Sequence, residues 1–291
     1  MNDIGGARDA SPCLALDIGA SKVDVAVVSR DGTLHSRTRI DVASHSGDLF
    51  EAIAEVSRST LVDSGISLVG VGCAGPMTRG GETVSPLNIT HWRDFPLRQS
   101  LRDALGVDIF IEGDARALAL AEGTFGAARR ETSYLSMVVS TGVGAGIVLN
   151  GRLLDGETGN SGHIGHLNVV PGGALCSCGA FGCLEAEVSG RAIEARTGHP
   201  AADADVATRQ RTGELVGRAV GTLSSVLDFR RCYVAGSVAL GYGDEFFDAA
   251  NKAARSLAMM SYSHDIEIRS SQLGSDGPLL GAAMVGWRGG A

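Results

Sequence analysis

Between Gly162 and Glu185 the chain sets His166 ahead of Cys176, Cys178 and Cys183, with Gly179, Gly182 and Glu185 punctuating the cysteines. No other segment constrains the fold as tightly. Thiolates and imidazole are borderline-soft donors that Zn²⁺ prefers, and one histidine with three thiols makes a complete tetrahedral set. Four protein ligands leave no position for water, so the predicted ion is structural and holds a loop in shape. Cys176 and Cys178 are too close in sequence for an easy disulfide, and a reducing cytosol disfavours one. Cys13, Cys73 and Cys232 stand in apolar runs, where buried reduced thiols are ordinary.

The 291 residues, 44% hydrophobic and 20% charged, suffice for two modest folded lobes. A formal charge of −8 offers no basic footprint for nucleic acid or an anionic membrane, which points to small-molecule work. The polar opening at positions 1–9 lacks the cationic and apolar regions of a signal peptide, and no apolar run approaches bilayer length. These features predict a soluble cytoplasmic protein without nucleic-acid or membrane partners.

Periodicity divides the chain into alternating strands and helices. Positions 13–29 alternate apolar residues, and Asp31-Gly32 signals a hairpin into a second strand at 33–42. A helix is predicted over 49–64, a buried strand over 67–73, a helix over 97–105, a strand over 107–111 and an alanine-rich helix over 115–123. Strands at 134–140 and 145–149 then repeat the opening hairpin, with Asn150-Gly151 as the next turn. Helices at 212–227 and 244–259, strands at 232–235 and 266–270, and a closing helix at 278–285 complete the pattern. Two α/β halves of like architecture follow.

The two hairpin turns carry the first chemistry. Asp17-Ile18-Gly19-Ala20-Ser21-Lys22 puts small residues where backbone amides can approach a phosphate, a hydroxyl can donate, and Asp17 can meet Mg²⁺ directly or through water. Alone, this is equally a turn that needs small residues. Ser140-Thr141-Gly142-Val143-Gly144 stands at the equivalent place in the second half, and two opposed loops can grip a polyphosphate. No G-x-x-x-x-G-K-[ST] segment occurs, so a P-loop has no support.

Across most of its length the chain resembles the ROK family of bacterial sugar kinases and sugar-responsive repressors. The resemblance lies in the GH…C-x-C-G-x-x-G-C-L-E pattern, Leu16-Asp17-Ile18-Gly19-Ala20-Ser21-Lys22, Ser85-Pro86-Leu87-Asn88 with Trp92, and Asp114-Ala115 with Glu122. Ser140 to Gly146, Val234 to Val238 and Leu273 to Ala283 extend it. It implies a two-lobed actin-like ATPase (ribonuclease H-like) fold with an interlobe cleft and a zinc-bound loop. The lobes are expected at 12–122 and 123–276, with a closing helix at 277–288 returning to the first. The implied activity is phosphorylation of a sugar or polyol hydroxyl by ATP with Mg²⁺. Dimerisation, common among relatives, is carried by the resemblance alone. The repressors place a helix-turn-helix before the sugar domain, and only about a dozen residues precede Leu14 here.

The resemblance also assigns residues. Asp114 matches the catalytic aspartate that accepts the hydroxyl's proton; read without the match, it is the N-cap of its helix. Asn88, His166 and Glu185 match sugar contacts, although Asn88 is equally a turn residue after Pro86 and Glu185 a solvated acid at a helix start. His166 can bind zinc through one ring nitrogen and a substrate oxygen through the other. Gly236 matches the approach to the adenosine, or is an ordinary strand-to-helix turn. The phosphate set is Asp17, Gly19, Ser21, Lys22, Thr141, Gly142 and Gly144. Two positions depart from the pattern: Gly113 stands where hexose kinases usually carry Asn, and His163 where they carry Glu. Both changes fall among the expected sugar contacts and imply altered substrate choice, towards an N-acyl or otherwise modified sugar or a cyclitol; the alternative they raise is a non-catalytic sugar-binding member of the family, against which Asp114 and both glycine turns argue. His163 is alternatively a neutral filler beside the metal or a competing ligand.

Overall fold

The computed structural model describes residues 11–289 apart from positions 20, 43, 44, 46, 63 and 88. The chain divides into two compact units, one of residues up to 125 with 155–161 and the residues from 275 onward, the other of 126–154 and 162–274.

In the first unit β1 (Cys13–Ile18), β2 (Lys22–Val28) and β3 (Leu34–Asp41) form an antiparallel meander. Asp31 shapes the β2–β3 turn by accepting the Thr33 N–H at 3.0 Å. After α1 (Leu49–Leu61), β4 (Leu68–Cys73) joins β1 in parallel; after α2 (Leu97–Leu105), β5 (Asp108–Gly113) joins β4 and runs directly into α3 (Asp114–Thr124). The sheet order is β3-β2-β1-β4-β5.

Strand alternation assigns the two faces of this sheet. Leu14, Leu16, Ile18, Val69, Val71 and Cys73 face one core with Leu49 and Ile53 of α1 and Leu97 and Leu101 of α2. The intervening positions face the other way. There Gly70 admits the backbone of the last helix, where a Cβ would strike Ala282 and Gly286, and Gly72 faces Asp17 and Asp114. An exposed-face pattern would not produce this, because both faces of β1 and β4 are buried.

The second unit repeats the plan. β6 (Tyr134–Val139), β7 (Val143–Leu149) and the short β8 (Arg152–Leu153) are antiparallel. The helices α4 (Leu184–Val188), α5 (Gly190–Thr197) and α6 (Val206–Leu227) precede β9 (Arg231–Ala235); α7 (Ser237–Tyr242) and α8 (Asp244–Leu257) precede β10 (Glu267–Ser270). The order β10-β9-β6-β7-β8 is the first sheet's order rewritten, with parallel β6–β9 and β9–β10 pairs. Leu135, Met137, Val139 and Val234 form its core with Val216 and Val220 of α6 and Phe246 and Ala250 of α8. Gly213, Gly217 and Gly221 line α6 where it crosses α8, and a Cβ there would meet the backbone of Phe246, Ala250 and Ala254. The last helix, α9 (Gly277–Arg288), packs on β1, β4 and α3.

The run at 13–29, expected as one strand of a two-stranded hairpin, is instead two strands, β1 and β2, because the Gly19 N–H donates to Lys22 O and turns the chain between them. Most other expected elements are present with shifted ends. The largest shift is α6, which starts at Val206 because Asp205 caps it by accepting the Thr208 N–H at 2.8 Å. The helices α4, α5 and α7 have no counterpart among the elements expected from periodicity. No described helix is long and apolar enough to cross a membrane.

Candidate active site

The first unit brings two carboxylates together. Asp17, at the penultimate position of β1, is buried, whereas Asp114, at the first turn of α3, is exposed. Asp114 is not the N-cap: Gly113 occupies that position, and Asp114 Oδ1 instead accepts the Ala115 N–H at 2.7 Å. Burial pushes the Asp17 carboxyl up to about 7, the charge of Asp114 adds to the rise, and Lys22 pulls back only in part. Gly72 leaves the space between them, since a Cβ there would lie 3.6 Å from Asp114 Cα and 3.8 Å from Asp17 Oδ1.

The turn after β1 is closed by the Gly19 N–H donating to Lys22 O at 3.0 Å, with Ser21 exposed at its tip. The Lys22 ammonium stands 3.3 Å from Asp24 Oδ2. Asp24 is itself buried and takes hydrogen bonds from Arg39 Nε at 2.8 Å and Arg37 Nη2 at 3.0 Å. Burial alone would raise its pKa; the two guanidinium groups and Lys22 outweigh that and hold it well below the usual carboxylate range.

Gly113 separates Asp114 from an ion network that sequence reasoning missed. Arg116, 5% exposed, donates from Nε and Nη2 to the two oxygens of Glu112 at 2.7 and 2.9 Å, and from Nη2 to Asp155 Oδ1 at 2.7 Å. Burial disfavours the guanidinium charge, but Glu112 and Asp155 more than compensate and raise its pKa. The signal was available, because Glu112 and Arg116 are an i,i+4 acid–base pair straddling the strand–helix junction. Arg116 also borders the empty side of Gly113, where a Cβ would lie 3.4 Å from its Cδ.

In the second unit the β6–β7 turn holds Thr141 and Gly142, with Gly144 paired to Val138. Ser140 O accepts the Gly190 N–H at 2.7 Å, and Ser140 Oγ lies 3.0 Å from Ser237 Oγ. Glu185, in the first turn of α4, reaches this turn: its Oε2 accepts the Val143 N–H at 2.8 Å. Gly236 joins β9 to α7 at φ +101°, a backbone that favours glycine, and a Cβ there would strike Val139.

His166, Cys176, Cys178 and Cys183 converge, their ligand atoms all within 4.8 Å of one another. Cys176 Sγ lies 3.5 Å from His166 Nδ1, and Cys178 Sγ lies 3.7 Å from Cys183 Sγ. A tetrahedral Zn²⁺ with bonds of about 2.3 Å to sulfur and about 2.0 Å to nitrogen requires S···S of about 3.8 Å and S···N of about 3.5 Å. These two pairs match that geometry, and three thiols with one imidazole are the donor set the ion prefers. The loop around them is braced by Glu187, which is buried, accepts the Ala174 N–H at 2.8 Å and pairs with Arg211 at 2.6 Å. His163 is exposed and outside the ligand set, with its ring centroid 6.1 Å from that of His166. Asn88 lies outside the described residues.

Two units that each open on a glycine-turn hairpin and continue with parallel strands define an α/β protein of the actin-like ATPase class. The chain belongs to the ROK family, whose profile matches residues 13–287. It is 31% identical over 289 residues to an N-acetylmannosamine kinase of Haemophilus influenzae, covering 93% of this chain and 94% of that one. The crystal structure of a ROK family glucokinase from Streptomyces griseus in complex with glucose and AMPPNP is similar with a TM-score of 0.81 and 26% identity, covering 95% of this chain and 99% of that one. A ROK hexokinase from Thermus thermophilus is similar with a TM-score of 0.78 and 31% identity, covering 95% and 98%.

Proposed function

We propose that this chain is an ATP-dependent kinase that phosphorylates a hydroxyl of a hexose, a hexosamine or a related sugar, with Asp114 as the base. The observation that carries this reading is the placement of Asp114: an exposed carboxylate at the junction of a buried strand and a buried helix, beside the buried Asp17. Such a junction fixes the carboxylate's direction while leaving it open to an incoming hydroxyl. Asp114 takes the proton as the hydroxyl attacks; Asp17 supplies a hard oxygen for the Mg²⁺ that accompanies ATP. The Gly19–Lys22 turn and the Thr141–Gly144 turn offer backbone amides to phosphate oxygens.

His166, Cys176, Cys178 and Cys183 hold a structural Zn²⁺, which stiffens the loop that carries the sugar contacts. With Nδ1 turned to the thiols, His166 Nε2 and Glu185 Oε1 are the atoms left for sugar hydroxyls. A modified sugar or a cyclitol is favoured over glucose by Gly113, which brings no side chain to the substrate beside the guanidinium stem of Arg116.

ADP release measured across hexoses, N-acyl hexosamines and cyclitols tests the reading, with the phosphorylated position fixed by NMR. Asp114→Asn should fold and bind Mg²⁺–ATP normally yet lose at least about a hundredfold in turnover. A near-normal rate in that variant, or silence of the wild type across the panel, refutes the proposal.

A further inference from the structure

Glu185 has a second attachment that a sugar contact does not require. Its Oε2 takes the backbone N–H of Val143 at 2.8 Å, so one carboxylate joins the start of α4 to the β6–β7 turn. The turn is shaped around this bond. A Cβ on Gly142 would lie 3.0 Å from the same Oε2, and Gly142 does not have the positive φ that would by itself call for glycine. At the carbonyl of the same residue, a Cβ on Gly165 would strike Val143 O and approach Glu185 Cβ at 3.2 Å. Gly165 immediately precedes His166, and Glu185 follows Cys183 by two residues. Residues adjoining the thiol and imidazole cluster therefore bond the Val143 N–H, through the Glu185 carboxylate, and lie close against its carbonyl, at Gly165. Oε1 of Glu185 accepts no hydrogen bond from the described residues.

We propose that Glu185 is a positioning residue for the nucleotide as well as a sugar contact: through Val143 it holds the Ser140–Gly144 turn in the shape that receives a phosphate. This rests on the kinase reading above. It has a consequence which that reading lacks. A residue that touches only sugar leaves nucleotide affinity unchanged when it is removed, and a bare negative charge near the phosphates would weaken nucleotide binding, so that its removal would strengthen it. A positioning residue has the opposite sign: its loss weakens nucleotide binding even when no sugar is present.

Titration calorimetry of Mg²⁺–AMPPNP into the full chain, without sugar, reads that sign. Glu185→Ala should weaken binding by about fivefold or more, the scale set by losing a hydrogen bond to a charged acceptor. Glu185→Gln keeps a carbonyl oxygen for the Val143 N–H and should stay within about twofold of wild type. Glu185→Asp keeps the charge but withdraws it by one methylene, and should resemble Ala. Circular dichroism and zinc content establish that each variant is folded, and the Gln and Asp pair carries the test if Ala does not fold. Unchanged or tighter binding in Ala and Asp overturns the inference. The two readings fail separately: wild type that binds no nucleotide removes the kinase assignment, whereas wild type that binds alongside equally competent Ala and Asp variants removes only the positioning role.

Discussion

Removing the Arg116 side chain tests whether the segment before Asp114 is held by charge. Two of the three short contacts go to Glu112, whose side chain is 13% exposed, and the third goes to Asp155, which is 40% exposed. In Arg116→Ala the Glu112 carboxylate keeps only the Gly113 N–H, at 2.8 Å, as a donor among the described residues. Breaking a buried pair from one side costs about 3–5 kcal/mol, because a charge is stranded. The Asp155 contact adds less than about 1 kcal/mol after solvent screening. Glu112 retains some exposure, so the lower end applies, and we expect a loss of about 3 kcal/mol. For a protein this size that lowers the melting temperature by roughly 6–12 °C. The double variant Arg116→Met with Glu112→Gln removes both charges, and the new amide oxygen still accepts the Gly113 N–H. It should recover to within about 1–2 kcal/mol of wild type. Calorimetric and urea unfolding of wild type, Arg116→Ala, Arg116→Met, Glu112→Gln and the double variant completes the cycle. An Arg116→Ala variant that loses less than about 1 kcal/mol, or a double variant no better than that single one, would show that the network contributes packing rather than paired charge.

Two further outcomes follow from the sites. The raised Asp17 pKa, about 7, means that the folded chain holds a proton there which the unfolded chain releases near 4, so conformational stability should fall as pH rises from about 4 to about 7. Because Mg²⁺ requires the ionised form, Mg²⁺–nucleotide affinity should weaken up to about tenfold per pH unit below 7 and level off above 8; calorimetry at pH 6 and 8 should lose this slope in Asp17→Asn, and a persistent slope would locate the proton elsewhere. Purified protein should carry about one Zn²⁺ per chain by elemental analysis, and Cys183→Ser should lose it with a raised sugar KM and a lowered melting temperature; full zinc occupancy in that variant would remove Cys183 from the ligand set.

The duplicated plan was legible because hydrophobic periodicity and glycine turns are local signals. The β6–β7 hairpin appears as two apolar runs around a glycine turn, whereas the opening run at 13–29 hid the β1–β2 break, because its apolar alternation resumes directly after the turn. What escaped was either too short or too polar for that signal. The α4 helix has five residues, and the first turn of α6 begins with an exposed Val206, so only the Asp205 cap marks it. Ser189, accepting the Ala192 N–H, and Gly198, in the left-handed region, bracket α5 as clear cap signals around a nearly polar helix.

The site is a harder case, because its parts are related through the face of a sheet rather than through sequence distance. Asp17 is one of three β1 residues that alternate with Leu14, Leu16 and Ile18, and the pattern shows that it points away from their core. That direction alone would be compatible with solvent. What makes it a buried carboxylate with a raised pKa is β4, whose Val69-Gly70-Val71-Gly72-Cys73 run places valines on one face and glycines on the other. Gly70 lets α9 settle on the sheet, and Gly72 brings the start of α3, with Asp114, against Asp17. A side chain at either glycine would push a helix away and hydrate the aspartate. The acid in the motif is thus tuned by residues more than fifty positions downstream, which carry no functional group at all.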